Sequence, residues 1–231
     1  MRTPTAAAVL AAVVLMAGVP GPAGAAPPSC ADLGGTISDG RMCHVSTSTA
    51  TYTLNLSYPT DYADEQALTD FVSQNRDGFI NVAQTSGSRD VPYQMEVTAE
   101  QFRSGQPPHG TQSVMLKVFE DLGGPRPSTS YKGFNYDLGK GQPITFDNLF
   151  VPGSKPLDAI YPVVQREVGQ NGLGATIPPG TGLDPAHYQN FAITDDDVIF
   201  YFAPGELLPA SAGTSQARVP RSALPPLTVQ P

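Results

Sequence analysis

The chain has 231 residues, 40% of them hydrophobic, with 24 prolines, 23 glycines and a formal net charge of −8. That composition suits one globular domain rich in turns and excludes a collagen-like repeat. The acidic balance argues against nucleic acid and against unassisted binding to anionic lipid, because both partners carry negative charge.

Residues 1–25 read as a secretory leader. Arg2 gives a positive start, Ala6 to Val19 is apolar and uncharged, and Ala23-Gly24-Ala25 fits a small-x-small site, with cleavage expected after Ala25. The apolar run is shorter than the roughly 20 residues a spanning helix needs. No later segment approaches that length, so the expected product is an exported domain over 26–231, with its core at about 30–224 and no membrane span. Losing Arg2 leaves 12 basic and 21 acidic side chains, a net charge of −9. Cys30 and Cys43 are the two cysteines, and an oxidising compartment lets them bridge. Closing so short a loop stabilises by about 3 kcal/mol on the chain-entropy account. A redox pair or a metal site with His44 is the competing reading, but the spacing is not C-x-x-C and no second ligand cluster follows.

Tyr52 to Tyr58 alternates apolar and polar residues, as in a half-buried strand, and Pro59 ends it. Asn55-Leu56-Ser57 matches a glycosylation sequon, which its place inside a strand makes a coincidence. From Asp64 to Gln84 the period becomes helical, with Leu68, Phe71, Val72, Phe79 and Ala83 on one face and Asp61, Asp64 and Glu65 near the helix start. Arg76 and Asp77 fit a solvated helix face better than a catalytic pair. Strands are expected at Gln112 to Phe119 and Ser130 to Tyr136, paired antiparallel across the Gly123-Gly124-Pro125 turn, with Pro107-Pro108 separating the preceding strand. A second helix is expected over Asp158 to Val168, starting late or kinked because of Pro162. Gly169, Gly172 and Gly174 then read as its end, since G-x-x-G-x-G after a helix is not a dinucleotide loop.

Phe191 and Ile193 alternate before Asp195-Asp196-Asp197, and Val198 to Ala203 is apolar on both faces, the mark of a central strand. The three aspartates therefore read as the bend of a hairpin. They lack the wider spacing that a calcium or magnesium site needs, and adjacent acids do not form a glycosidase pair. For nucleophilic catalysis the nearest set is Ser215, His187 and Asp184, although Gly213-Thr214-Ser215-Gln216-Ala217 fails G-x-S-x-G at its last position. No H-x-x-x-H or H-E-x-x-H occurs, and neither metal nor cofactor is expected.

The blocks DEQALTDFVSQNRDGF, SYKGFNYD, QPITFDNLF, GLDPAHYQNFAITDDDVIFYFAPGELLPASAG and VPRSAL resemble the secreted mycobacterial immunogenic antigen family, related to the extracellular domain of the anti-sigma factor RsiV. The resemblance runs from Cys30 to Leu224. It implies a single exported α+β domain, an antiparallel sheet packed against one long and one shorter helix. It also implies an extracellular or wall-retained antigen-type module that binds an unidentified protein or envelope component. The competing function is a small secreted serine carboxylesterase acting on short-chain esters through Ser215, His187 and Asp184.

Overall fold

The computed structural model describes residues 28–85 and 91–229; the leader expected over 1–25 lies outside them. Seven strands form one sheet in chain order: β1 (Thr36–Ser38), β2 (Met42–Ser48), β3 (Tyr52–Pro59), β4 (Tyr93–Ser104), β5 (Thr111–Asp121), β6 (Ser128–Asp137) and β7 (Gln142–Pro143). The sheet is mixed, not antiparallel throughout, because β3 and β4 run parallel with Tyr52 opposite Tyr93. A parallel neighbour needs a crossover, and the helix α1 (Glu65–Thr85) supplies it.

The face that α1 covers is the one the period-2 pattern marks. Leu54, Leu56 and Tyr58 of β3, with Val114, Leu116 and Val118 of β5, pack beneath Leu68, Val72, Phe79 and Ala83 of the helix. Edge-to-face rings lock the layer, Tyr52 on Phe79 at 5.9 Å and Phe71 on Phe134 at 5.7 Å. Arg76 lies 2.8 Å from Asp77; the arginine side chain is only 20% exposed, while that of Asp77, at 63%, is on the solvated face. The Cys30–Cys43 disulfide fastens the N-terminal turn to β2. Gly35 makes room for it, since a Cβ there would fall 2.8 Å from the Cys30 sulfur and 2.9 Å from that of Cys43.

A second, three-stranded sheet, ordered β10-β9-β8, packs on the other face of β4–β6: β8 (Phe191–Ile193), β9 (Asp197–Phe202) and β10 (Ser215–Pro220). This explains why β9 is apolar on both sides. Ile199 and Tyr201 meet Met115 of the large sheet, while Val198, Phe200 and Phe202 face a helical layer. That layer comprises α2 (Phe146–Leu149), α3 (Pro156–Val164) and α4 (Pro179–Gly182). The single domain is thus α+β, with α1 outermost on one side and the short helices on the other.

The shorter helix differs from expectation at both ends. It starts at Pro156, where a proline is tolerated in the first turn, and Pro162 sits inside it. Lacking an N–H, Pro162 leaves the Asp158 carbonyl without its ladder bond. From Gln165 to Leu173 the chain continues as a π-helix, and Gly174 closes it with φ +64°. Gly169 and Gly172 therefore lie within this wider helix and do not end it.

Two sheets approach closely only where side chains permit. A Cβ on Gly133 would meet the Phe191 carbonyl oxygen at 3.0 Å, so β6 is bare there. Beside it Ser113 Oγ donates to Asn135 Oδ1 (2.6 Å), Asn135 Nδ2 donates to the Phe191 carbonyl (2.8 Å), and the Ile193 N–H donates to Ser113 Oγ (3.1 Å). All these groups are buried. Ser113→Ala or Asn135→Leu is expected to lower unfolding free energy by about 1–3 kcal/mol, because each leaves β8 polar groups dry and unpaired; urea melts measure it. The opposite sign is expected at Tyr58, whose hydroxyl is buried without a hydrogen bond among the described residues and whose pKa burial pushes up to about 12. Tyr58→Phe should be neutral or stabilising by up to about 1 kcal/mol in the same assay.

Candidate functional site

The acidic bend is a structural joint. Asp195 Oδ1 accepts the Gly105 N–H at 2.7 Å and so ties the β8–β9 hairpin to the end of β4. The Asp196 carbonyl accepts the Arg221 N–H at 2.7 Å, and the Asp197 N–H donates to Thr194 Oγ1 at 2.9 Å. The three residues thus point to three different partners, as a tight loop requires. Among the described residues no three His, Cys, Asp or Glu side chains are placed to hold a metal ion.

His187 lies on the 3-10 turn Pro185–Tyr188 that leads into β8. Asp184 does not reach for it. Its Oδ1 accepts the Ala186 N–H at 2.9 Å and caps the turn. The acid that does approach is Glu206, whose Oε1 stands 3.7 Å from His187 Nδ1, outside hydrogen-bond length but within range of charge attraction. Glu206 Oε2 accepts the Ala203 N–H at 2.8 Å, which fixes the carboxylate just past the end of β9. Burial raises the Glu206 pKa, opposed by the Ala203 hydrogen bond and by His187.

Ser215 starts β10 directly opposite Phe202, the last residue of β9 and the one before Ala203. It is in phase with the buried Ala217 and Val219, so it shares the sheet face on which Phe202 and Tyr188 pack. His187 and Glu206 thus approach each other, while Ser215 stands at the base of the same β9–β10 loop that carries Glu206 and makes no hydrogen bond to His187 among the described residues. The sequence reading missed Glu206. Its signal was an acid followed directly by apolar Leu207 and Leu208, four residues past the end of the central strand.

The other histidines stand apart. His44 is on the polar outer face of the large sheet, opposite Ser57. His109 borders a recess of about 220 Å³ with Asp137 and Lys140, where Lys140 Nζ is 3.4 Å from Asp137 Oδ2 and donates to the Thr228 carbonyl at 2.7 Å. No helix among the described residues is long and apolar enough to cross a membrane.

Comparison with known proteins agrees with this architecture. Residues 147–222 match the family described as protein of unknown function DUF3298. Two solved DUF3298 structures share the fold: one from Pseudomonas aeruginosa (TM-score 0.54, 13% identity, 81% of this chain and 93% of that one) and one from Bacteroides fragilis (0.50, 14%, 78% and 89%). Among curated proteins, the chain is 64% identical over 230 residues to a Mycobacterium tuberculosis protein named esterase Rv3036c, covering 99% of this chain and 100% of that one. It is 44% identical over 218 residues to the immunogenic proteins MPT64 of M. tuberculosis and MPB64 of Mycobacterium bovis, covering 94% of this chain and 95% of each. The chain therefore belongs to the mycobacterial family of Rv3036c, MPT64 and MPB64, and its second sheet and helical layer carry the DUF3298 domain.

Proposed function

We propose that this chain is an exported hydrolase of short-chain carboxylic esters, with Ser215 as nucleophile, His187 as general base and Glu206 as the carboxylate that orients it. The observation that carries the reading is 64% identity, end to end, with a relative named an esterase. What supports it is the His187–Glu206 approach at 3.7 Å and the position of Ser215 at the foot of the loop that carries Glu206. Glu206 takes the role that sequence proximity gives to Asp184, which is occupied in capping its own turn.

In this scheme Ser215 Oγ attacks the ester carbonyl carbon while His187 takes the hydroxyl proton. The protonated imidazole then gives that proton to the departing alkoxide, leaving an acyl-serine. Water attacks the acyl carbon, His187 again accepts a proton, and the carboxylic acid departs as Ser215 recovers its hydrogen. Glu206 holds the ring and balances its transient positive charge. Export rests on the leader at residues 1–25 and on the Cys30–Cys43 disulfide, which suits an oxidising compartment.

A second reading is favoured by the absence of a serine–histidine hydrogen bond among the described residues. It makes the chain an extracellular or wall-retained module that binds a protein or envelope component. Hydrolysis of p-nitrophenyl butyrate separates the two. His187→Ala and Ser215→Ala are each expected to lower kcat/KM by about 10²–10⁴, and a fluorophosphonate probe should label the parent but not Ser215→Ala. Full activity in His187→Ala would sink the hydrolase scheme.

The raised Glu206 pKa gives a test independent of turnover. The native state holds this proton more tightly than the unfolded chain, so its contribution to stability is complete below the ordinary glutamate value of about 4.3 and is lost as pH rises through the folded value. Glu206→Gln does not ionise. The stability of the parent relative to this variant should therefore fall as pH rises from about 4, as read by thermal melts across pH.

A further inference from the structure

We infer that the large sheet, on the side away from α1, carries a groove for a neutral, extended oligosaccharide, a binding site separate from the hydrolase scheme. The strand registers place its side chains. Ser46 faces Asn55, Asn55 faces Glu96, Glu96 faces Phe119 and Phe119 faces Thr129, so one row of residues crosses from β2 to β6. In the next row Thr98 faces Lys117 and Lys117 faces Tyr131. These positions alternate with Leu54, Leu56, Val97 and Val118, which are buried in the core beneath α1, and so they lie on the opposite face. Opposed side chains on one face stand about 5 Å apart, which makes each row continuous. At about 4.8 Å per strand step, the first row is about 19 Å long.

The small sheet leaves this part of the face open. It docks one row further on, where Glu100 faces Met115 and Met115 faces the bare Gly133, with Ile199 and Tyr201 packed against Met115. Tyr201 also forms the wall of the groove. Its ring lies 5.4 Å from that of Tyr131, and its hydroxyl donates to Glu100 Oε2 at 3.1 Å. Outside that wall are two recesses, of about 170 and 120 Å³, which share Glu96 and Thr98 and therefore join. The first extends to Ser46 and Asn55, the second to Lys117 and Phe119.

The chemistry of the groove selects its occupant. Glu96 and Lys117 are exposed and opposite in sign, so their charges offset and favour neither a free anion nor a cation. Every strand from β2 to β6 is paired on both edges, which leaves no edge here for a peptide to extend. What the floor offers is short polar side chains. Asn55 Oδ1 accepts the Ser46 hydroxyl at 2.9 Å, while its Nδ2 has no partner among the described residues. The Asn55-Leu56-Ser57 match thus supplies two groove residues, Asn55 and Ser57, on one face of β3. Phe119 is half-buried among these polar groups, and the negative face of an aromatic ring attracts weakly positive C–H groups. A pyranose ring meets both demands, because it carries C–H bonds on its faces and hydroxyls around its rim. A straight row calls for an extended chain of such rings, as in a β-1,4-linked glycan.

The test is titration calorimetry of the parent with cellohexaose and mannohexaose, both β-1,4-linked and neutral, beside α-1,4-linked maltohexaose and the polyanion polygalacturonate. At least one of the first two is expected to bind more tightly than either control. Phe119→Leu keeps an apolar side chain but removes the ring, and should raise Kd about three- to tenfold. Thr98→Arg places a long side chain at the exposed position shared by both recesses and should abolish binding, with thermal melts showing that both variants are folded. Ser215→Ala should bind the glycan as the parent does, so loss of ester hydrolysis and loss of glycan binding are read separately. Failure of the parent to bind either β-1,4-linked probe overturns the groove, as does affinity unchanged in both Phe119→Leu and Thr98→Arg. Tighter binding of maltohexaose or polygalacturonate overturns the assignment to a neutral, extended chain. Self-association of the parent that Thr98→Arg abolishes, read by sedimentation velocity, would make this face a contact between two copies and overturn the glycan as its occupant.

Discussion

The molecule depends on a buried hydrogen-bond relay of two side chains, Ser113 and Asn135, set between its sheets. β8 is an edge strand, and an edge strand pressed against another sheet must find partners for the backbone groups it takes out of water. Ser113 receives the Ile193 N–H, Asn135 donates to the Phe191 carbonyl, and Ser113 and Asn135 bond to each other. Each polar group is satisfied by another that also needs a partner. Leucine at either position would add apolar area but orphan the strand, so here packing alone is the weaker term.

Everything toward the C-terminus is positioned from that contact. With β8 docked, β9 pairs from Ile193–Val198 to Phe191–Phe200, and β10 follows along the whole of β9. Asp195 pins the intervening bend to Gly105, and the Arg218 N–H donates to Glu167 Oε2, joining the far strand to the π-helix. The turn bearing His187 enters β8 and the loop bearing Glu206 leaves β9. Their separation is consequently set by a strand pair and not by the loops themselves.

What could be read from the sequence follows from which interactions are local. β3 and α1 announce themselves because each buries a periodic set of large side chains, β5 and β9 because each is a continuous apolar run, and the run at 198–202 is central because both its faces are covered. The aspartate bend is likewise legible from its residue types. β2 buries only Cys43 and Val45, and β10 only Ala217 and Val219, too little apolar alternation to stand out from a loop. The parallel pairing of β3 with β4 leaves no trace in either strand, since the period fixes the buried face and not the neighbour. Glu206 escaped for a related reason. Its approach to His187 joins two loops on either side of a hairpin, whereas Asp184 is three residues from His187 and already satisfied within its own turn.

The rigidity of the His187–Glu206 approach comes from buried residues next in sequence to each. Tyr188 is fully buried, its ring against Phe146, Phe200 and Phe202 and its hydroxyl donating to the Gly182 carbonyl at 2.6 Å, so the backbone of His187 has little freedom. On the other side Leu207 and Leu208 enter the same core, and the Ala203 N–H restrains the Glu206 carboxylate. Both side chains are thus largely but not fully buried, 27% and 19% exposed, on backbones anchored in one hydrophobic cluster. Such an arrangement keeps a carboxylate near an imidazole without burying the pair completely, which spares it the full desolvation that makes wholly interior ion pairs costly. It also fixes the direction of the Glu206 pKa shift: burial disfavours the charged carboxylate by more than the Ala203 N–H and the imidazole favour it.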